Sequence, residues 1–179
     1  MIKTIVLGIA LATIAAGTSL IVDFTKQSTT SNWQIVDDGV MGGKSQGNFK
    51  INEEGHGEFW GTISLENYGG FSSVRYRPKT IEIGKYKKVA LRVKGDGKNY
   101  QFRIKGKAND YFSYISTFST SGEWETIILN LSDLYPSFRG RKLNQPNFSG
   151  DFMEEITFLI ANKKNESFRL LIDEIKLKQ

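Results

Sequence analysis

The chain has 179 residues, a formal net charge of +5 and no cysteine. A chain of this length can bury a substantial core, while the lack of cysteine excludes disulfides, thiolate zinc sites and cysteine nucleophiles. The Lys and Arg residues are mostly spread singly, with short clusters only at Lys85–Lys88 and Arg139–Lys142, so the charge predicts solvated faces and no nucleic-acid partner.

The N-terminal segment predicts a secretory leader. Lys3 precedes an apolar run, and the run ends in the small residues Ala15–Gly17, which is the order found in signal peptides. We expect a signal peptide or N-terminal hydrophobic segment over residues 1–17, with the protein exported to the periplasm or secreted. If the leader is not cleaved, the apolar stretch through Val22 reaches about 18 residues, the lower limit for a spanning helix, and would anchor the protein in a membrane.

Beyond the leader the chain has the pattern of β-strands, because apolar residues alternate with polar ones and do not recur at helical spacing. Val89, Leu91 and Val93, for example, alternate with lysine and arginine. The pattern predicts an all-β protein with one antiparallel β-sandwich domain over residues 20–178. The predicted strands are Trp33–Val36, Gln46–Ile51, Phe59–Leu65, Phe71–Tyr76, Lys88–Lys94, Tyr100–Lys105, Tyr111–Ser119, Trp124–Leu129, Glu155–Ala161 and Phe168–Lys178.

Two irregularities are predicted within this pattern. In the last strand the apolar parity changes between Ile172 and Ile175, which predicts a β-bulge. The segment Gly95–Gly97 lies between two predicted strands and has the composition of a hairpin turn.

A glycine-rich loop runs from Asp38 to Ser45. Gly39, Gly42 and Gly43 tolerate positive φ and indicate a backbone bent in a defined way. The loop ends in Gly-Lys-Ser like a phosphate-binding loop, but that motif spaces its glycines more widely and begins a helix at the Lys-Ser. Here Gly39 and Gly43 enclose three residues and a strand-like segment follows, so we exclude nucleotide binding.

Two side chains of this loop have alternative roles. Asp38 either binds calcium together with loop carbonyls or accepts amide hydrogens in an Asx-type turn, and we favour the second role. Met41 either plugs the end of the sandwich or contacts a partner as an exposed, adaptable side chain, and we favour the plug.

The segment Asp38–Ser45 resembles the signature of the complex I intermediate-associated protein 30 family. Four later segments fit that family in the same order, namely Phe59–Phe71, Phe138–Arg141, Phe158–Lys163 and Phe168–Ile175. The resemblance extends over residues 20–178. It implies a galactose-binding-like jelly-roll sandwich with its first strand at Leu20–Phe24, and founding members that assist assembly of respiratory complex I. The candidate binding residues in the signature are Asp38, Met41, Gly42, Gly43 and Ser45.

Further candidate binding residues lie outside the signature. Asn67 and Tyr68 open a second glycine-bearing turn, which is either a tight hairpin or a rigid turn that presents an aromatic side chain. Asn162 follows a predicted strand, where it either ends the strand or contacts a ligand.

Arg139 and Arg141 lie in the longest stretch without alternation, residues 132–150. Long ordered loops are often functional. The two guanidinium groups can pair with the chain's own carboxylates or with those of a partner, and we favour the pairing within the chain. We expect the loop to belong to the binding surface.

No catalytic constellation is found in the sequence. The single histidine, His56, lies among glycines and charges in Glu53–Gly57, which predicts an exposed turn residue without a partner. Adjacent acidic residues such as Asp37 and Asp38 point to opposite faces of a strand, so each pair offers at most one carboxylate to a site. We therefore expect a non-catalytic protein with no cofactor and no metal.

Two functions fit these observations. The first is a protein-binding module resembling a respiratory complex I assembly factor, although such factors act on the matrix or cytoplasmic side and the leader predicts export. The second is an exported carbohydrate-binding module that places Tyr68, Tyr111 or Trp60 against a glycan. Because the resemblance lies in the motifs of the first family, we rank the first function higher; aromatic side chains aligned along one sheet would favour the second.

We predict that the mature protein lacks the leader and begins near Thr18. The N-terminal sequence of the natively expressed protein, measured by mass spectrometry, tests this expectation. A chain that still begins with Met1 and is recovered from the soluble cytoplasm would contradict it, and an uncleaved chain in the membrane fraction would support the anchored alternative.

Overall fold

The computed structural model describes residues 17–179, apart from the side chains of Val40 and Met41. The predicted leader, residues 1–17, lies outside the described residues except for Gly17. The described part of the chain is built from β-strands, with three one-turn 3₁₀ helices at Asp38–Met41, Glu66–Tyr68 and Leu131–Asp133. The strands are β1 Thr18–Asp23, β2 Trp33–Asp37, β3 Gln46–Ile51, β4 Gly57–Ile63, β5 Ser72–Tyr76, β6 Ile81–Glu82, β7 Lys88–Lys94, β8 Asn99–Lys105, β9 Ser113–Ser119, β10 Trp124–Asn130, β11 Tyr135–Phe138, β12 Arg141–Lys142, β13 Phe152–Met153, β14 Glu155–Ile160 and β15 Glu166–Lys178.

The strands form two large antiparallel sheets, so the predicted all-β class is confirmed. The six-stranded sheet has the order β10-β7-β15-β4-β3, with β1 paired to the second half of β15. The seven-stranded sheet has the order β12-β11-β9-β8-β14-β5-β2, and β13 pairs with β6 in a small separate ribbon.

The core lies between the two large sheets. Alternate side chains of each strand point inward, and those of both sheets belong to one hydrophobic cluster. The largest fully buried side chains are Tyr100, Phe59, Phe102, Phe158, Leu91, Ile104, Leu134, Met153, Ile156, Ile160, Leu170 and Ile172. The alternating pattern predicted these inward faces because one buried face of a strand requires an apolar residue at every second position.

The predicted bulge in β15 is confirmed. The register against β7 shifts between Ile172 and Glu174, so Asp173 is the extra residue. Its backbone oxygen accepts a hydrogen bond of 2.9 Å from the amide of Phe24, which follows β1. The bulge therefore lets β15 pair with β4 along its first half and with β1 along its second half.

The hairpin predicted at Gly95–Gly97 is wrong. This segment connects β7 of the six-stranded sheet to β8 of the seven-stranded sheet, so the chain crosses between sheets. The carboxylate of Asp96 fixes the crossing, because it accepts hydrogen bonds from the hydroxyl of Tyr100 at 2.9 Å and from the backbone amide of Arg169 at 2.9 Å. Burial, together with this neighbouring carboxylate, raises the pKa of the Tyr100 hydroxyl, so the tyrosine remains a neutral donor.

Within residues 17–179, no helix is long and apolar enough to cross a membrane.

Candidate functional site

The carboxylate of Asp38 joins the two glycine-bearing loops that the sequence singles out. It is fully buried and accepts the backbone amide of Ser45 at 3.0 Å and the Ser45 hydroxyl at 2.5 Å. From the other loop it accepts the amides of Gly70 at 2.6 Å and Phe71 at 3.1 Å. Asp38 thus accepts amide hydrogens, as expected. The donors include residues of the second loop as well as residues of its own loop.

These donors determine the charge state of Asp38. Burial alone would raise the pKa of this carboxyl, but the hydrogen bonds from Ser45, Gly70 and Phe71 outweigh burial and lower the pKa below its ordinary value. The groups facing the carboxylate are N–H and O–H donors, which stabilise its ionised form.

Two glycines allow this close approach. A Cβ atom at Gly43 would lie 2.3 Å from Oδ1 of Asp38, and one at Gly69 would lie 2.7 Å from Oδ2. Gly42 has a φ of +88° at the end of the 3₁₀ turn, a backbone conformation that residues other than glycine rarely adopt. The shaped backbone expected for the loop is therefore confirmed, with the positive φ at Gly42.

The neighbouring carboxylate, that of Asp37, links the two sheets. It accepts the amide of Gly47 in β3 at 2.9 Å and the hydroxyl of Ser72 in β5 at 2.6 Å. Because β3 belongs to the six-stranded sheet and β5 to the seven-stranded sheet, this pair of hydrogen bonds closes the sandwich beside the loops.

The second loop is tied to the first by its own side chains. The amide group of Asn67 donates to the carbonyl of Gly42 at 3.0 Å, and Lys44 forms an ion pair with Glu66. Asn67 and Tyr68 have φ values of 55° and 60°, and the Tyr68 side chain is 99% exposed.

We call residues 38–45 and 64–71 together the loop pair. It contains seven sequence-predicted binding residues: Asp38, Met41, Gly42, Gly43, Ser45, Asn67 and Tyr68. The Met41 side chain is not described, so neither of its two expected roles is resolved. Asn162 lies near the loop pair, because its turn contacts Leu65 through a 2.8 Å hydrogen bond from the Leu65 amide to Asn165. Its own amide group donates to Glu166 at 2.9 Å.

Arg139 and Arg141 lie at a sheet edge and do not form part of an irregular loop. Strands β11 and β12 pair as a hairpin whose turn is Arg139-Gly140, with φ values of 49° and 76°. Positive φ at both turn residues is what a tight two-residue hairpin requires, although arginine rarely adopts it. Among the described residues no carboxylate lies within 4.0 Å of either guanidinium group, so the alternative of internal ion pairs is wrong.

Two exposed aromatic side chains accompany these arginines. Tyr111 is 61% exposed and Phe138 is 38% exposed, and their rings meet at 5.4 Å in a T-shaped contact. The guanidinium group of Arg139 lies over the Phe138 ring at 5.3 Å, and Arg141 is paired with Phe138 in the hairpin. We call Tyr111, Phe138, Arg139 and Arg141 the edge patch.

The structure does not bring the edge patch and the loop pair together. Strand β12 is one edge of the seven-stranded sheet, whereas β2, which leads into Asp38, is the opposite edge. Trp60, the third aromatic candidate for a glycan face, lies on the six-stranded sheet. The candidate aromatic residues Trp60, Tyr68 and Tyr111 therefore do not share one face.

His56 was predicted to be an exposed residue without a partner, and this is wrong. Its side chain is partly buried, Nδ1 lies 2.9 Å from the carboxylate of Asp173, and its ring packs against Trp124 at 4.6 Å. The bulge signal in the sequence marks Asp173, but nothing in the local sequence links it to His56.

An open groove of about 510 Å³ crosses the outer face of the six-stranded sheet. Trp124, Lys94, Leu171, Glu58 and Lys50 form one row across five strands. They line the groove together with Asn52, Glu53, Glu54 and Arg169. We call it the sheet groove.

Comparison with protein families gives one match. A sequence profile described as "Complex I intermediate-associated protein 30" matches residues 22–172. A comparison with curated proteins gives no match.

Solved structures with the same fold include carbohydrate-binding modules and parts of larger enzymes. A family 11 carbohydrate-binding module from Clostridium thermocellum, in complex with a beta-1,3-1,4-mixed-linked tetrasaccharide, is 20% identical, with 92% of this chain and 96% of that chain covered and a TM-score of 0.70. A family 29 carbohydrate-binding module is 13% identical, with 91% and 92% covered and a TM-score of 0.52. An agarase is 11% identical over 91% of this chain and 25% of its own, with a TM-score of 0.57. These likenesses show the galactose-binding-like jelly-roll fold.

We predict that Asp38→Asn lowers the free energy of unfolding by about 3 kcal/mol, because the charged acceptor of three amides and a hydroxyl is lost and the NH2 group of asparagine would face N–H or O–H donors. The contribution of Asp38 should also depend on pH. Since the folded protein lowers the pKa of this carboxyl, its stabilisation is fully present above the ordinary value of 3.8 and is lost as the pH falls through the lower, folded-state pKa. Urea unfolding across this acidic range measures both effects.

Asp151→Asn is the matched control, because this exposed carboxylate has no side-chain hydrogen bond among the described residues. It should change stability by less than about 0.5 kcal/mol. If Asp38→Asn is as stable as this control, and its stability falls at acidic pH as that of the unmodified protein does, the loop pair does not depend on the Asp38 charge.

Proposed function

The chain belongs to the complex I intermediate-associated protein 30 family, and from this membership we propose that it is a non-catalytic, protein-binding module that assists assembly of a respiratory complex. The family name refers to association with an intermediate of complex I, so subunits or intermediates of that complex are the proposed partners. The predicted leader would place this member outside the cytoplasm or at the membrane surface.

The observation that carries the proposal is the edge patch. Aromatic residues and arginine are the residue types that dominate binding energy at protein interfaces. In the edge patch they are exposed, and the tight turn and the ring contacts hold them in place, so few rotamers are lost on binding. Neither arginine has a carboxylate partner within the described residues, which leaves both free to pair with a partner's acidic groups.

The proposal of a non-catalytic protein is supported by the surroundings of His56. Its described contacts are the carboxylates of Asp173 and Glu54, the Trp124 ring and the backbone bond to Asn52. These described contacts include no hydroxyl or thiol that the imidazole could activate as a nucleophile.

A second candidate function is carbohydrate binding, and the sheet groove is the observation that favours it. Trp124 and the nearly buried Leu171 give the groove apolar surface, while charged and amide groups line the rest of it. His56 packs against the Trp124 ring at 4.6 Å and the guanidinium group of Arg92 lies 5.6 Å from the ring centre, so a sugar would contact the part of the ring that these side chains leave exposed. This combination suits sugar rings, which have apolar C–H faces and hydroxyl rims. The shared fold with carbohydrate-binding modules supports this candidate only at the level of architecture.

We predict that Arg139→Ala combined with Arg141→Ala abolishes partner capture. The tagged mature protein is used to retain proteins from its own membranes, and the enrichment of complex I subunits is quantified by mass spectrometry. Stability should change by less than about 1 kcal/mol, as for exposed charges. Lys85→Ala combined with Lys87→Ala is the matched control, because it removes the same charge from another exposed cluster and should retain the partner. Undiminished enrichment in the arginine variant, or no complex I subunit with the unmodified protein, would overturn the proposed function.

For the second candidate, we predict that Trp124→Ala weakens retardation by soluble neutral β-glucans in affinity electrophoresis. The expected loss is about tenfold or more, since a buried aromatic contact contributes well over 1 kcal/mol. Ile128→Ala is the control, because this exposed apolar side chain is on the same strand as Trp124 but does not line the groove. If the unmodified protein is not retarded by any glucan, the carbohydrate-binding candidate is rejected.

A further inference from the structure

Two arginines lie in one row on the outer face of the seven-stranded sheet. Arg103 in β8 pairs with Thr157 in β14, and Thr157 pairs with Arg75 in β5. All three point away from the core, because their neighbours along each strand, such as Phe102 and Val74, are fully buried. The two arginine backbones are separated by about 10 Å, the width of two strand spacings.

Neither arginine has a carboxylate partner among the residues that the structure describes. Nε and Nη2 of Arg103 both donate to the same uncharged oxygen of Gln101, at 2.9 and 2.5 Å. Arg75 has no side-chain hydrogen bond or ion pair with any described residue. The next row differs, because Arg77 forms a 2.8 Å ion pair with the buried carboxylate of Glu155.

The pair is electrostatically unfavourable as it stands. Burial, followed by repulsion from Arg75, lowers the pKa of Arg103 to about 10. Burial also lowers the pKa of the nearby Lys105, while Glu155 opposes that shift. Unneutralised, partly buried cations are typical of sites that take a charged ligand, since structural cations are normally paired.

We propose that Arg75 and Arg103 form an oxyanion site that takes the carboxylates of an acidic segment of the protein partner. The guanidinium fork matches the two oxygens of a carboxylate. The spacing of the two arginines allows them to take two different acidic side chains of one segment. This inference rests on the proposed protein-binding function and names the chemistry of the partner.

The aromatic residue of this row favours a polypeptide over a sugar. Tyr135 of β11 is the row's aromatic side chain, and it lies close enough to Arg103 to act on its charge. The ammonium group of Lys142 lies over the Tyr135 ring, 5.1 Å from its centre. That ring face is covered and cannot stack on a sugar, while Lys142 adds a third cation at the end of the row nearest the edge patch.

The test measures binding of a fluorescein-labelled oligoglutamate peptide to the full mature chain by fluorescence anisotropy at a fixed ionic strength. Arg75→Gln combined with Arg103→Gln should weaken binding by about tenfold or more, as expected for the loss of charge-assisted pairs. The same variant should melt no lower than the unmodified protein, because a repulsion is removed. Arg75→Gln alone provides a second variant. Because Arg75 has no partner among the described residues, its replacement leaves no other group unpaired.

Lys88→Gln combined with Lys178→Gln is the charge-matched control, because these lysines pair across the six-stranded sheet. An equal loss of peptide binding in this control would overturn the site and indicate only the net charge of the protein. Tighter binding of polygalacturonate than of oligoglutamate would overturn the assignment to a protein segment. If complex I subunits are retained but the peptide does not bind, the oxyanion site is wrong and the proposed function stands. If peptide binding depends on both arginines but no complex I subunit is retained, the proposed function is contradicted and the oxyanion site stands.

Discussion

The buried charge of Asp38 is the constraint on which one end of this sandwich depends. A carboxylate removed from water is costly unless its oxygens meet donors, and here the donors come from Ser45 on one side and from Gly70 and Phe71 on the other. The carboxylate of Asp37 likewise accepts hydrogen bonds from both sheets, from Gly47 in one and from Ser72 in the other. Gly43 and Gly69 follow from this requirement, because a side chain at either position would collide with the carboxylate of Asp38. The residues of the signature motif therefore serve mainly to supply hydrogen-bond donors to the buried carboxylate of Asp38.

The carboxylate of Asp38 is buried and hydrogen-bonded within the protein. A partner that binds at this end of the sandwich would therefore contact the rigid surface around the carboxylate. Tyr68 is fully exposed, yet its backbone is held by the bond from Asn67 to Gly42 and by the capture of the Gly70 amide. An aromatic side chain on an immobilised backbone loses little conformational freedom when it is bound. In the proposed function, Tyr68 is thus a second anchor at the opposite edge of the seven-stranded sheet from the edge patch, and two anchors so far apart suit a large protein partner better than a short glycan.

The sequence predicts what depends on near neighbours along the chain. Alternation locates strands such as Lys88–Lys94, and a change of parity locates the bulge at Asp173, because both are local consequences of having one buried face. Sheet assignment and register are long-range, so the crossing at Gly95–Gly97 was mistaken for a hairpin. The partner of His56 lies 117 positions away and could not be found locally. The Arg139-Gly140 turn also escaped prediction, because arginine is not a residue that signals positive φ.

The distribution of arginines separates the groups that serve the fold from those available for binding. Arg169 lies 2.6 Å from Glu58, so the two charges offset each other and the side chain is explained within the chain. Arg139 and Arg141 have no such partner in the described part of the chain, but they are exposed, and water solvates their charges at little cost. Arg75 and Arg103 are the informative case, because they are partly buried and repel each other. A neutral side chain at position 103 would remove that repulsion, and the described partner of Arg103 is the uncharged amide oxygen of Gln101, so the positive charge itself is not matched within the described residues. In the proposed oxyanion site, carboxylates of a partner segment supply the negative charge that offsets this repulsion.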